Sequence, residues 1–149
     1  MHNYYFDKEI SKETVNELVD RLQNQDDEIN LWFSTDGGDC EAMEYLISVL
    51  NSFGYKITVT LCGQVHSAGL DLLTDYTGKL KISDRVDYFI FHKENRLLEI
   101  TDKKHRKQLK KQSEDYNRNF AEKIKNKGLL TEKQLKKFNK GKDIHVYKK

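Results

Sequence analysis

One octapeptide marks the change from a strand pattern to a helix pattern: Gly63-Gln64-Val65-His66-Ser67-Ala68-Gly69-Leu70. It follows a β-like apolar run (Ile57, Val59, Leu61) and leads into leucines at helical spacing. A serine at such a turn lies at a helix N-terminus, where unpaired N–H groups and the helix dipole favour developing negative charge. Ser67 is therefore either a nucleophile or an N-cap, and the octapeptide alone favours the cap because capping serines are common.

The first 92 residues alternate between strand and helix patterns. Two amphipathic helices are indicated, one capped by Ser11 with an apolar stripe (Val15, Leu18, Val19, Leu22) and one with a second stripe (Met43, Leu46, Ile47, Leu50). Strand-like runs lie at 4–6, 29–34, 57–62, 80–82 and 87–92. This alternation predicts a parallel sheet covered by helices.

The ends of these strands carry the candidate functional residues. Gly37-Gly38, Ser67 and His92 each fall just after a predicted strand. Because function gathers at the carboxyl ends of parallel strands, we expect the three features to lie at one edge of the sheet.

The chain changes character after residue 92. A narrow stripe (Leu109, Tyr116, Phe120, Ile124) predicts a long, mostly basic helix that is expected to project or to pack on another subunit. Gly128 ends this helix, a short helix begins at Thr131, and a last strand is indicated at 143–146. We predict one domain over 1–149, with an α/β head at 1–92, a long helix at 93–127 and a returning segment at 128–149.

Composition excludes several classes of protein. Charged residues make up 34% of the 149 residues, and no long apolar run or signal-peptide pattern is present, so we expect a cytoplasmic protein with no membrane partner. Cys40 and Cys62 are interpreted as small buried hydrophobes in a reduced compartment. The five histidines lack metal-ligand spacing, so no metal and no other cofactor is expected.

Charge is distributed unevenly along the chain. Residues 1–92 hold 7 Lys and Arg against 16 Asp and Glu, whereas residues 93–149 hold 19 against 8. Such a division fits a nucleic-acid face, an oligomer in which acidic and basic surfaces meet, or a solvated helix. Nucleic acid is the least favoured partner, because no aromatic residues are interleaved with the basic ones and charge alone gives only non-specific binding.

Three side chains could form a hydrolytic triad. A serine peptidase needs a nucleophile, a base, an acid that holds the base, and N–H donors for the oxyanion. Ser67, His92 and Asp143 occur in that order, and the glycines at 37 and 38 let a backbone approach substrate closely. Taken singly, His92 could instead be a strand-end histidine and Asp143 a turn aspartate, and Asn139 is an alternative partner for His92.

Four stretches resemble the proteolytic subunits of the Clp peptidases, which are serine peptidases of the ClpP/crotonase fold. Residues 63–69 resemble the family's Gly-Gln-Ala-Ala-Ser-Met-Gly nucleophile motif, and residues 34–38 resemble its strand followed by Ser-Pro-Gly-Gly. Residues 88–92 and 140–143 resemble the segments that carry its histidine and aspartate. The separations of 30 residues from Gly37 to Ser67 and of 25 from Ser67 to His92 also match, and the 51 residues from His92 to Asp143 come within a couple of residues of the family's spacing.

The resemblance implies a fold, a reaction and an assembly. The fold would be α/β, with ClpP/crotonase-like repeated β-β-α/β-α units and a long projecting handle helix. Ser67 would be the nucleophile, His92 the general base and Asp143 its orienting acid, with the backbone N–H groups of Gly38 and Ala68 as the oxyanion hole. The reaction would be hydrolysis of peptides or unfolded proteins by a homo-oligomer, without a cofactor.

The sequence also departs from the family pattern. Asp36 stands where the family has proline, residues 93–98 contain no glycine, and the helix that follows is highly charged. The chain begins close to its first strand and ends at Lys149, which disfavours an ATP-dependent unfoldase as partner. These departures support an alternative, a catalytically inactive ClpP-like relative that acts as a binding or assembly protein. A crotonase-type enzyme acting on acyl-CoA shares the fold but does not need the Ser, His and Asp set.

Overall fold

The computed structural model describes residues 1–86, 88–91 and 103–147. Within them the chain forms two compact units. The first comprises Met1–Ile90 together with the chain from His145 onward, and the second comprises Phe91–Ile144. A single domain over 1–149 stays a prediction, although the first unit ends close to the predicted end of the head at residue 92.

A four-stranded parallel sheet forms the centre of the first unit. Its strands, in spatial as well as chain order, are β1 (His2–Asp7), β2 (Ile29–Thr35), β3 (Ile57–Val65) and β4 (Lys79–Ile82). Alternate residues of β2 are buried, and the first five residues of β3 are buried on both faces. The predicted parallel sheet is confirmed for these strands.

Three helices connect the strands of this sheet. They are α1 (Lys12–Gln23), α2 (Cys40–Ser52) and α3 (Asp71–Asp75); α2 packs against both of the others. The predicted cap is confirmed, since the Ser11 hydroxyl accepts a hydrogen bond from the Thr14 N–H at 3.1 Å. Both predicted apolar stripes are buried, because they face the sheet and each other.

The end of β3 differs from the prediction. The strand was expected to end at Cys62, but it continues to Val65 through an irregularity in its pairing with β2. Phe33 pairs with Leu61 and Thr35 pairs with Val65, so the offset between the strands changes from 28 to 30 residues. The Ser34 hydroxyl closes this bulge, donating to the Gln64 carbonyl at 3.0 Å and accepting from its N–H at 3.2 Å. The bulge brings the residues after Val65 beside Gly37.

The last two strands form a separate sheet. β5 (Tyr88–Phe91) pairs with β6 (Ile144–Tyr147) in a two-stranded sheet, close to the positions predicted for both strands. The expectation that three features share one sheet edge therefore applies to Gly37-Gly38 and Ser67. His92 lies outside the described residues, so its place at this edge stays a prediction.

Two helices and an aromatic cluster form the second unit. These are α4 (Lys103–Lys127) and α5 (Glu132–Asn139), both ending near the predicted positions. Residues 93–102 of the predicted long helix lie outside the described residues. Phe120 stacks on Phe91 and Tyr116 and meets Phe138 edge to face. Phe120 and Ile124 are buried within this unit, so this end of the narrow stripe is covered by the chain itself.

Replacing Tyr76 by Phe should destabilise the first unit at neutral pH. The buried Tyr76 hydroxyl donates to the Ile57 carbonyl at 2.6 Å, and burial raises the pKa of Tyr76 to about 12 from its ordinary value of 10.0. Loss of this hydrogen bond should cost about 1–2 kcal/mol. Because the pKa is raised on folding, the contribution is complete below pH 10 and is lost as the pH rises through about 12.

Urea denaturation of wild type and Tyr76→Phe at pH 8 and pH 11.5 checks this. The difference in unfolding free energy should be smaller at the higher pH. An equal difference at the two pH values would contradict the assignment.

Candidate active site

Ser67 has an unusual backbone conformation. Among the described residues it is the one non-glycine with a positive φ, at 54°. It follows His66, which is extended (φ −125°, ψ 161°), and is the first residue of a 3₁₀ helix (Ser67–Leu70) that leads into α3. A left-handed conformation costs an L-residue roughly 1–2 kcal/mol, so the surrounding structure must hold it. Sharp strand-to-helix turns of this kind expose the nucleophilic serine in α/β hydrolases.

The turn after β2 packs directly on this serine. A Cβ atom added to Gly37 would lie 2.4 Å from the Ser67 Cβ and 3.0 Å from its Oγ. Gly37 and Gly38 have φ values of 110° and 141°, a region that glycine adopts without strain. Two of the features predicted to share an edge of the sheet therefore lie in contact.

The Gly38 N–H points away from the neighbouring backbone. The Gly37 carbonyl accepts from the Ile10 N–H at 2.8 Å, and the Asp39 N–H donates to the Ile10 carbonyl at 2.9 Å. Because the peptide bond is planar and trans, the Gly38 N–H is directed opposite to the Gly37 carbonyl. No hydrogen bond between described residues uses this N–H, which leaves it available to a ligand.

The Ala68 N–H lies in the first turn of the 3₁₀ helix. The first hydrogen bond of that helix is donated by the Gly69 N–H to the His66 carbonyl at 3.1 Å, so the Ala68 N–H precedes the intrahelical bonds. Ala68 itself is 1% exposed. Gly38 and Ala68 each carry a suitable donor, and their joint action as an oxyanion hole stays a prediction.

The other two residues of the predicted triad are less fully described. His92 lies outside the described residues. Asp143 belongs to the second unit, where it is exposed and directly precedes β6. Asn139, the alternative partner for His92, is the last residue of α5. The Ser67, His92 and Asp143 triad therefore stays a prediction.

A contact between a histidine and a carboxylate beside Ser67 was missed by the sequence reasoning. The His66 Nδ1 lies 3.9 Å from the Asp36 Oδ1; the His66 side chain is 17% exposed and that of Asp36 is 79% exposed. The pair spans the ends of β2 and β3. At 3.9 Å and with the Asp36 carboxylate largely exposed, this contact contributes little to stability. The signal in the sequence was a histidine directly before the serine, together with an aspartate in place of proline.

The Cys62 thiol is disfavoured as a competing nucleophile. Burial and the Asp7 carboxylate raise the pKa of the Cys62 thiol, while Arg85 opposes this shift, so the reactive thiolate is disfavoured. Cys40 and Cys62 form no disulfide and are half-buried rather than fully buried as expected. Across the described residues, no group of three or more His, Cys, Asp or Glu side chains is arranged to hold a metal ion. In that part of the chain no helix is long and apolar enough to cross a membrane.

Comparison with known proteins identifies the fold. No family model and no curated protein matches this chain. A solved structure of a ClpP1 point mutant from Listeria monocytogenes is similar to it, with a TM-score of 0.62 and 18% sequence identity. The likeness covers 98% of this chain and 82% of the other.

The chain has a ClpP-like fold. At this level of identity the likeness establishes the α/β architecture and leaves the activity to be argued from the site.

Replacing Ser67 by glycine should stabilise the ClpP-like fold relative to Ser67→Ala. Both changes remove the hydroxyl, but only glycine relieves the strain of a φ of 54°. We expect Ser67→Gly to exceed Ser67→Ala by about 1 kcal/mol in unfolding free energy. Chemical denaturation of the two variants measures it, and a more stable alanine variant would rule out the left-handed conformation.

Replacing Gly37 by alanine should be far more damaging than replacing Gly54. Both have positive φ values, but a Cβ at Gly54 meets nothing within 4 Å whereas one at Gly37 would overlap Ser67. Gly54→Ala therefore reports the backbone strain alone. We expect Gly37→Ala to lose an additional ~1–3 kcal/mol through overpacking. Thermal or urea unfolding of both variants checks this, and equal losses would show that Gly37 and Ser67 are not in contact.

Proposed function

We propose that this protein is a serine endopeptidase that hydrolyses peptide bonds of peptides or unfolded proteins. The observation that carries the proposal is the conformation of Ser67. This serine has a φ of 54° at a strand-to-helix junction and packs on a glycine turn whose Gly38 N–H has no hydrogen-bond partner among the described residues. A strained serine beside N–H donors is the arrangement that acyl transfer requires. Its occurrence in a ClpP-like fold supports the same chemistry.

The proposed reaction uses a triad and an acyl-enzyme. The Ser67 Oγ attacks the substrate carbonyl while His92 takes its proton, and His92 then gives that proton to the leaving amine. Asp143 orients His92 and stabilises its charged form. The Gly38 and Ala68 N–H groups stabilise the oxyanion, and water then hydrolyses the acyl-enzyme by the same steps. Both the order of the three residues and their separations of 25 and 51 positions support this assignment.

The proposed working form is a cytoplasmic homo-oligomer without a cofactor. The charge division supports self-association, because residues 1–92 are acidic and residues 93–149 are basic. Copies of one chain could thus bring surfaces of opposite charge together. Neither a membrane nor a nucleic acid is part of the proposal.

Labelling by a fluorophosphonate probe tests the proposed nucleophile. Wild type should be labelled at one site and Ser67→Ala should not be labelled. His92→Ala and Asp143→Ala should each slow labelling by at least ~10³-fold, because members of a triad act as a unit. Ser52→Ala is the matched control, since Ser52 lies at the end of α2 and its hydroxyl donates to the Val49 carbonyl. That variant should be labelled at the wild-type rate.

The alternative function predicts a different set of results. A folded wild type that is not labelled, as a single chain or in any assembly separated by native mass spectrometry, would contradict the peptidase. Such a result, with a stable complex seen in the native spectrum, would favour a catalytically inactive binding or assembly protein. Saturable binding of an acyl-CoA without labelling would instead favour a crotonase-type enzyme.

A further inference from the structure

Thr35 lies at the end of β2 with its side chain almost completely buried. Its exposed fraction is 2%. Its hydroxyl donates to the Lys8 carbonyl at 2.7 Å and accepts from the Gly37 N–H at 3.1 Å. The Thr35 Oγ1 atom thus links Lys8, directly after β1, to Gly37, the first glycine of the turn that contacts Ser67.

The rest of Thr35 contacts the residues on either side of Ser67. Its carbonyl accepts from the His66 N–H at 3.0 Å. A Cβ atom added to Gly69 would lie 2.6 Å from the Thr35 Cγ2, so the methyl group packs closely on the start of the 3₁₀ helix. This one threonine therefore contacts His66, directly before Ser67, and Gly69, two residues after it.

We infer that Thr35 is a positioning residue for the chemistry at Ser67, an inference that rests on the proposed function. Two consecutive glycines would otherwise sample many conformations. The Thr35 hydroxyl engages the Gly37 N–H and thereby fixes the plane of the turn. The Gly38 N–H remains as the donor that the turn can present to an oxyanion.

The two halves of the threonine side chain can be removed separately. Thr35→Val keeps the shape but leaves the Lys8 carbonyl and the Gly37 N–H without their buried partner. Thr35→Ser keeps the hydroxyl and removes only the methyl group. Thr60→Val is a matched control, because Thr60 is also buried, at 6% exposure, and donates to the Asn30 Oδ1 at 2.8 Å on the neighbouring strand. That hydrogen bond is separate from those that hold the turn.

Two measurements on the full chain test the inference. The first is the second-order rate of fluorophosphonate labelling at a temperature where circular dichroism shows every variant folded. Thr35→Val should be labelled ~10–100-fold more slowly than wild type, approaching the effect of losing an oxyanion donor. The labelling rates of Thr35→Ser and Thr60→Val should stay within about threefold of the wild-type rate. Both variants keep a hydroxyl at position 35, which is the group that holds the turn.

The second measurement does not depend on activity. Amide hydrogen exchange at Gly37 should be faster in Thr35→Val than in wild type, and unchanged in Thr35→Ser and Thr60→Val. A general loss of stability would instead accelerate exchange in Thr60→Val as well.

The outcomes separate this inference from the proposed function. Labelling of folded Thr35→Val at the wild-type rate would overturn the positioning role and leave the peptidase intact. Failure of wild type to label would overturn the peptidase. In that case, faster amide exchange at Gly37 in Thr35→Val alone would still support the conclusion that the Thr35 hydroxyl fixes the turn. Unchanged exchange at Gly37 would overturn that conclusion.

Discussion

The change of register between β2 and β3 is the constraint on which the candidate site depends. The offset of 28 residues at Phe33 and Leu61 would place Val65 opposite Gly37 if it continued. The bulge raises the offset to 30, which is also the separation of Gly37 and Ser67 in the sequence. A bulge re-aims the side chains that follow it. Two extra residues in one strand thus bring a serine against a glycine turn.

The conformation of Ser67 shows how the fold holds local strain. A left-handed serine persists only where the surrounding structure holds its backbone in place. Here the His66 N–H is bonded to the Thr35 carbonyl and the His66 carbonyl to the Gly69 N–H. The absence of a side chain at Gly37 leaves space for the serine. The left-handed conformation of Ser67 lowers the stability locally, and the surrounding contacts hold the serine in this conformation.

Fold and activity make unequal demands on a sequence. A parallel sheet covered by helices needs apolar residues at the right period, and many sequences provide them, which explains a ClpP-like fold at 18% identity. Peptide hydrolysis needs particular groups held close together. The features around Ser67 come from four neighbouring segments of the first unit. This arrangement therefore depends on tertiary organisation far more than the sheet does.

The sequence by itself determined the helices and most strand positions, and it singled out Ser67 as the candidate nucleophile. Periodicity, capping residues and motif spacing are local properties of the chain, so they can be recognised without the structure. It identified the Ser11 cap and the two apolar stripes correctly. Only the tertiary structure showed that β3 continues past Cys62 and that β5 pairs with β6 instead of joining the parallel sheet. It also showed that Thr35 is hydrogen-bonded to the segments around Ser67. These features rest on contacts between residues about 30 or more positions apart. Their partners are fixed by strand register, and register emerges only when the whole sheet assembles.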